Sequence, residues 1–342
     1  MKTRRVYVSS DLGPEALGLL KESGCEVVVH PDRDRPPSRS ELLDGVAGAS
    51  GIVTLLSEKM DGELFDHAGP QLAVVSAVSV GTDNIDIEAA ARRGITVTNT
   101  PDVLTAATAD LAMGLILAVN RRIVEADAFL RRRESWSWGP HFFLGRDLED
   151  EVLGIVGYGR IGAALARRAR AFGMKIISAG TGPARDGVER LPLQEMLSVA
   201  DVVSLHVPLT AETRHLLGPR EFASMKPRAV VINTARGPLI DEGALVQALD
   251  SGRLRGAGLD VFEQEPKIHP GLLVRDNVVL TPHIGSAGEQ TRQRMAMLAA
   301  ENTVAVLTGG DPKTPVACPT VQTEPISAAT VLDKHAAEKG KI

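Results

Sequence analysis

Three glycines in the pattern Gly157-Tyr158-Gly159-Arg160-Ile161-Gly162 follow an apolar run and open a helical stretch. This spacing suits the binding of a phosphate-bearing anion. The first glycine permits a tight turn, the second lets a pyrophosphate approach the backbone, and the third lets helix and strand pack closely. The N–H groups and positive dipole end of the helix beginning at Arg160 and Ile161 then face the phosphates. A lone pattern of this kind is weak evidence. The strand before it, the helix after it and a second strand at Lys175 strengthen it into a dinucleotide site. An acid at the end of that second strand would bind the adenosine ribose and favour NAD. The run Lys175–Thr181 holds none, and Gly180 stands where the acid is expected. Arg185 just beyond could meet a 2′-phosphate or lie as a solvated loop arginine. The expected cofactor is therefore NADP, with NAD as the alternative.

The elements that position this turn form two series. Short β-like runs at Arg5–Ser9, Glu26–His30, Gly51–Leu55, Leu72–Ala77 and Ile95–Thr98 alternate with helical runs at Pro14–Ser23, Asp61–Ala68 and Ile85–Arg93. Pro31–Ser38 reads as a polar, proline-rich loop. Pro101 breaks the series, and an apolar helix follows at Thr105–Val119. A second series begins at Glu151, with strands Val152–Val156, Lys175–Ser178, Asp201–Leu205, Ala229–Ile232, Gly256–Leu259 and Val278–Leu280. Its helices are Ile161–Phe172, Leu193–Ser198, Pro219–Ser224 and Glu242–Ser251. Such alternation predicts an α/β fold with a doubly wound parallel sheet. A last helix, Glu289–Leu307, follows the completed sheet and is free to fold back onto the first series. The tail from Pro319 is polar, with a short helix expected at Ala328–Glu338.

The bulk properties narrow the function. The chain has 342 residues, enough for two domains, and a net charge of −5 that gives no reason to expect a nucleic-acid partner. Hydrophobic residues make up 44% and charged residues 24%, the balance of a soluble globular protein. Leu111–Val119 is too short to span a membrane, and the N-terminus lacks the apolar core of a signal peptide. Cys25 and Cys318 lie far apart, without metal-ligand or redox spacing, so a reducing, cytoplasmic location and no metal are expected.

Three more segments begin at the carboxyl ends of strands in the second series, the edge where open α/β sheets bind ligands. They are Val231–Gly237, Gly258–Pro266 and Thr281–Ala287. Together with Gly157–Gly162, they resemble the D-isomer-specific 2-hydroxyacid dehydrogenase family over roughly residues 5–318. The resemblance implies a smaller flavodoxin-like substrate domain built from both chain ends, 1–101 and 286–320. The Rossmann domain would be 102–285, with a cleft between the two and a tail at 321–342. It implies that Arg236 holds the substrate carboxylate and polarises the carbonyl. His283 would donate a proton to the carbonyl oxygen, and Glu265 would keep His283 protonated. The residue types suit these tasks. A guanidinium can grip a carboxylate with two parallel hydrogen bonds, and a neighbouring carboxylate raises a histidine pKa. Taken alone, each has a plainer reading, as a surface arginine, a loop carboxylate and a loop histidine.

Further roles follow from the same resemblance. Backbone N–H groups of Val80 and Gly81 would bind the substrate carboxylate, while Asp83-Asn84 could simply cap the next helix. Thr108, His206-Val207-Pro208, Thr234, Ala235, Asp260 and Gly285 match cofactor contacts, with Asp260 accepting a hydrogen bond from the nicotinamide amide. For Thr108 a purely helical role is the alternative.

The aromatic residues suggest a branch of the family. The chain has two tryptophans, two tyrosines and seven phenylalanines, and Trp136, Trp138, Phe142 and Phe143 lie within one short loop. So local a concentration suggests an interface or pocket wall, or a local hydrophobic staple. With Pro101–Thr105, this loop looks most like the glyoxylate/hydroxypyruvate reductase (D-glycerate dehydrogenase) branch, in which a tryptophan matching Trp138 reaches the partner subunit's substrate pocket. A homodimer formed around Thr105–Asp150 follows. Phosphite dehydrogenases carry a lysine at the position of Val80, which argues against phosphite. A 3-phosphoglycerate dehydrogenase with a regulatory domain is disfavoured, since no further domain follows Cys318. Cofactor-sensing corepressors share the arginine, glutamate and histidine and remain an alternative of another class, as does a weakly catalytic NAD(P)-binding scaffold.

Overall fold

A computed structural model describes residues 4–32, 35–133, 135–181 and 186–318. Their elements run β1 (Arg4–Val8), α1 (Pro14–Glu22), β2 (Cys25–Val29), α2 (Arg39–Val46), β3 (Gly51–Thr54), α3 (Gly62–Ala68), β4 (Val74–Ala77), α4 (Ile87–Arg92) and β5 (Thr96–Thr98). Then come α5 (Thr105–Asn120), α6 (Ile123–Arg131), β6 (Val152–Val156), α7 (Arg160–Ala171), β7 (Lys175–Ala179), β8 (Glu189–Arg190), α8 (Leu193–Val199) and β9 (Val202–Leu205). The series ends with α9 (Pro219–Ser224), β10 (Ala229–Asn233), α10 (Glu242–Asp250), β11 (Leu254–Leu259), α11 (Pro270–Leu273), β12 (Val278–Leu280) and α12 (Glu289–Leu307).

Two all-parallel sheets result. The first has order β2-β1-β3-β4-β5 and the second β12-β11-β10-β9-β6-β7-β8. The first order is that of flavodoxin-like sheets. The second is the Rossmann order with an added strand, and its direction reverses between β6 and β9. That reversal opens a crevice at the strands' carboxyl ends, immediately beside the glycine turn. The strands read as continuous Val and Ile runs because both faces are covered by helices.

α5 packs against α7 and against β10, β11 and β12. Its buried side chains Ala109, Ala112, Leu115 and Ile116 share a core with Leu153, Ile155 and Leu165. α12 returns to the first sheet and packs on α1, β3, β4 and β5. Met295, Ala299 and Ala300 join Val6, Val8 and Leu20 in its core. The hydroxyls of Thr98 and Thr303 both meet Ser76 Oγ, at 2.9 and 2.8 Å, so polar side chains inside this layer are satisfied. The chain then runs back along β5, where Val316 N donates to Val97 O at 2.8 Å. Ile161 packs against the cores of both sheets.

Four helices and strands lie outside the sequence-based expectation, one of them the single turn α11. α2 follows the proline-rich loop and starts at a capping box, in which Ser38 and Glu41 satisfy each other's backbone. α6 carries apolar residues at helical spacing, Ile123, Ala126 and Leu130, yet has no buried residue. β8 is two exposed charged residues, Glu189 and Arg190, and carries no apolar signal. The helix expected at 328–338 falls outside the described residues. Among those described, no helix is long and apolar enough to cross a membrane.

Candidate active site

The glycine turn has the shape its spacing predicts. Gly157 has φ +93°, and a Cβ there would lie 2.6 Å from His206 O. A Cβ on Gly162 would lie 2.5 Å from Gly157 O, so only glycine lets α7 start this close to β6. Around Gly159 a Cβ would meet nothing within 4 Å, which leaves the open space a phosphate needs. No side chain caps α7, so its first N–H groups await an outside acceptor. Gly180 packs beside Gly157, and the Arg160 guanidinium turns away to pair with Asp102 at 2.5 Å. Arg185 lies outside the described residues.

Across the crevice, His206, Val207 and Pro208 follow β9. Burial pushes the His206 imidazole down to about 4, so it stays neutral, paired with Ser204 Oγ at 2.9 Å. Thr234 and Ala235 follow β10, and Thr234 Oγ1 is buried without a partner among the described residues. A buried hydroxyl without a partner is costly unless a ligand meets it. Together with the glycine turn and the uncapped helix, it fits a dinucleotide lying along this edge.

The chemistry-bearing side chains meet at the same edge. Asn233, the last residue of β10, folds back on the turn that follows it. Its Nδ2 donates to Arg236 O at 2.8 Å, and its Oδ1 accepts from Ala235 N at 3.0 Å. The turn aims Arg236 across at the first sheet, where its Nε donates to Asp83 Oδ1 at 2.8 Å. Nη1 donates to Ala235 O at 2.7 Å, leaving Nη2 as the free end of the fork. A Cβ on Gly81 would meet that end, so a larger residue there would push the Arg236 guanidinium from its present place.

That loop holds Val80 and Gly81. Their N–H groups make no hydrogen bond among the described residues. Ser79 Oγ donates to Gly81 O at 2.7 Å and Asn99 Nδ2 to Val80 O at 2.8 Å, which turns the N–H groups outward. Free N–H groups beside a guanidinium form an anion site. Asp83 and Asn84 do not cap the following helix. Asp86 does, accepting from Ala89 N at 2.7 Å. Asp83 is spent on Arg236, and Asn84 Nδ2 donates to Leu55 O and Glu58 O at 3.0 and 2.7 Å.

His283 and Glu265 complete the group. His283 Nδ1 lies 2.8 Å from Glu265 Oε2, and Glu265 Oε1 accepts from Phe262 N at 2.9 Å. This leaves Nε2 of His283 as the end that can meet a substrate. Burial pushes the Glu265 carboxyl up, but the hydrogen bond and charge of His283 outweigh it, so it lies below the usual carboxylate range. His283 has φ +52°, a left-handed conformation held by its N–H to Asp260 O at 2.8 Å. Asp260 is fully buried and clamps the whole segment. Its Oδ1 accepts from the Thr281 hydroxyl at 2.6 Å and from Ile284 N at 2.8 Å, and its Oδ2 from Gly285 N at 2.7 Å. Burial pushes this carboxyl up, against the pull of those three donors. A Cβ on Gly285 would lie 3.1 Å from Asp260 Oδ2 and 3.5 Å from Thr108 Cγ2, so Thr108 belongs to this cluster as well.

Trp138 is not part of the group within its own chain; it stands 83% exposed on the loop after α6. Trp136 stacks on Phe142, and Phe129 meets Phe142 and Phe143 edge-on. Sequence reasoning missed three positioning residues. Asn233 was the legible one, since asparagine at a strand end often bonds the turn ahead. Asp83 gave no sign of its distant partner. Glu58 reads as a solvated loop acid, yet it is buried. Its Oε2 gathers the hydroxyls of Ser9 and Thr54 at 2.9 and 2.8 Å and Leu55 N at 2.6 Å.

A doubly wound sheet with a glycine turn, facing an arginine and a carboxylate–histidine pair, defines a dinucleotide-dependent oxidoreductase of the α/β class. Residues 113–285 match the family described as D-isomer specific 2-hydroxyacid dehydrogenase, NAD binding domain. A glyoxylate reductase of Thermococcus litoralis is 47% identical, covering 90% of this chain and 95% of that protein. One from Thermofilum pendens is 48% identical over 91% and 94%. Among solved structures, a protein of Thermus thermophilus has a TM-score of 0.88 at 48% identity, covering 92% of this chain and 100% of that one. An NADPH-dependent glyoxylate/hydroxypyruvate reductase from Sinorhizobium meliloti, in complex with NADP and malonate, has a TM-score of 0.80 at 37% identity over 92% and 97%. The chain belongs to the D-isomer specific 2-hydroxyacid dehydrogenase family.

Proposed function

We propose that this enzyme reduces short 2-oxo acids, glyoxylate and hydroxypyruvate, to glycolate and D-glycerate with NADPH, or less readily NADH. The relatives' names support the substrate class. The observation that carries the reading is the Arg236–Asp83 pair, which draws the free N–H groups of Val80 and Gly81 beside the Glu265–His283 pair. We assign the five-stranded layer, with α12, to a substrate domain of residues 1–101 and 286–320. The seven-stranded layer is then the cofactor domain, 102–285.

In this reading the substrate carboxylate sits on the Val80 and Gly81 N–H groups and the free Nη2 of Arg236. The same guanidinium polarises the carbonyl. The cofactor would be held at its pyrophosphate by the residues from Gly157 to Gly162, with Thr108, Thr234 and Ala235 along the same edge, and would supply the hydride. His283 gives its Nε2 proton to the carbonyl oxygen as the C–H bond forms, so the carbonyl becomes a hydroxyl. Glu265 fixes the ring and supports the positive charge on it before transfer. The absence of an acid at Gly180 removes a repulsion against a 2′-phosphate and underlies the NADP preference. The exposed aromatic loop is assigned to a homodimer, with Trp138 reaching the partner. Cys25 is a buried free thiol. This suits the cytoplasm, to which we assign the enzyme.

The test mixes purified protein with NADPH or NADH and each of glyoxylate, hydroxypyruvate and pyruvate, and with NADP or NAD and phosphite, following nicotinamide absorbance. Turnover of glyoxylate or hydroxypyruvate is expected. Inactivity on both would overturn the assignment, and turnover of phosphite alone would move the enzyme to that chemistry.

A further inference from the structure

The strands that carry the active site at their carboxyl ends carry a second cluster at their amino ends. A cavity of about 360 Å³ lies between the end of α5, the start of α6 and the first residues of β10, β11 and β12. Arg122, Arg228, Arg255 and Arg275 line it, with Glu125 and Asp276. Arg122 is held by Glu125, 2.7 Å from Nε to Oε2, and lies 4.6 Å above the Phe143 ring. Arg275 pairs with Asp250 through Nη2, while its Nη1 is buried with no partner among the described residues. Neither Arg228 nor Arg255 has an ion pair or a side-chain hydrogen bond there, though Arg255 is half-buried. Burial pushes the Arg255 guanidinium down, and the charges of Arg228, Arg146 and Arg122 add to the effect against Glu151 alone.

Confined like charges and an orphaned buried donor are unfavourable unless an anion completes them. Arg228 and Arg255 stand outside any ion pair among the described residues, and Asp276 is the one acid of the lining that holds none either, so positive charge is in excess and favours an anion. Planar forks match the oxygen geometry of phosphate, and a free Nη1 donor adds to the match. We propose that this cavity is a second, non-catalytic site that binds a phosphate group. The phosphate is either inorganic or carried by a small monoester. The site lies at the opposite edge of the sheet from Arg236 and His283, and it touches the aromatic loop through Arg122 and Phe143.

The test is a calorimetric titration of the full-length protein with inorganic phosphate and with glycerol phosphate. Ionic strength is held fixed, and NADP is saturating so that the glycine turn is filled. Saturable binding is expected, weakened about tenfold or more in Arg255→Met and in the more exposed Arg228→Met, from the loss of a charged hydrogen bond. Turnover of glyoxylate without phosphate should stay unchanged in both variants. Tighter binding of glycerol phosphate would identify the monoester as the ligand, and equal binding free phosphate. Absence of saturable binding, or equal binding by wild type and both variants, overturns the proposal. Variants that alter the oligomeric state while phosphate has no effect would give the cluster to carboxylates of a second copy, and would overturn it as well.

Discussion

Replacing Glu265 by glutamine tests the acid–base reading most directly. The variant keeps the shape of the pair and can still bond His283 Nδ1, but it removes the charge 2.8 Å away. A hydrogen bond to a charged partner contributes about 1.5–3 kcal/mol. At about 1.36 kcal/mol per factor of ten, kcat/KM for glyoxylate reduction should fall about ten- to a hundredfold. Cofactor affinity should not change. The assay is steady-state kinetics with glyoxylate, with a fluorescence titration of NADPH. A loss under threefold, or a loss matched by weaker NADPH binding, would refute the reasoning, because Glu265 would then not act through His283. The same pair has a stability signature. The carboxyl is held below its ordinary value of 4.5 by His283, so its contribution is present above that value and lost as pH falls through the folded one. The gap in melting temperature between wild type and Glu265→Gln should therefore close on acidification.

Arg236→Lys should lower kcat/KM about a hundredfold, since a lysine cannot meet Asp83, the Ala235 carbonyl and a substrate carboxylate together; steady-state kinetics with glyoxylate would show it, and a change under threefold would remove the guanidinium from substrate binding. Gly162→Val should abolish cofactor binding and lower the melting temperature, because its Cβ would lie 2.5 Å from Gly157 O; calorimetric titration with NADPH checks this, and wild-type affinity would contradict it. Glu58→Gln should cost about 1–3 kcal/mol in urea unfolding, as its amide N–H groups would face the donors of Ser9, Thr54 and Leu55. Its loop is tied by Asn84 to the segment that carries Asp83, so KM for glyoxylate should rise while kcat holds, and an unchanged KM would separate this loop from the site.

What could be read in the sequence was local. The glycine turn declares itself because three small residues at fixed spacing serve one backbone geometry. The strands declare themselves as Val and Ile runs, since both faces are buried. Features that depend on distant partners did not. Asp83 and Arg236 are separated by 153 positions, and no pattern around either points to the other. Glu58 sits between serine and lysine and looks solvated, yet its oxygens collect donors from the end of β3 and from Ser9, just past β1. The exposed α6 does carry an apolar face, with Ile123, Ala126 and Leu130 at helical spacing, but that face packs on no core among the described residues of this chain. Arg228, Arg255 and Arg275 look like scattered surface charges until three parallel strands align their starts.

The return of α12 to the first sheet has a consequence for how the molecule is made. Thr303 closes on Ser76 across 227 positions, and Gln293 meets Glu15 across 278. Val6, Val8 and Leu20 are therefore synthesised long before the helix that covers them exists. The seven-stranded sheet is contiguous and can collapse as soon as it leaves the ribosome, while the earlier segment waits with an exposed apolar face. Once the inserted sheet is folded, its two ends bring the early and late segments together and shorten the loop that must close. Vectorial synthesis thus favours an order in which the later-made layer templates the earlier one. A ribosome stalled before Glu289 should hold the N-terminal layer in a protease-sensitive state.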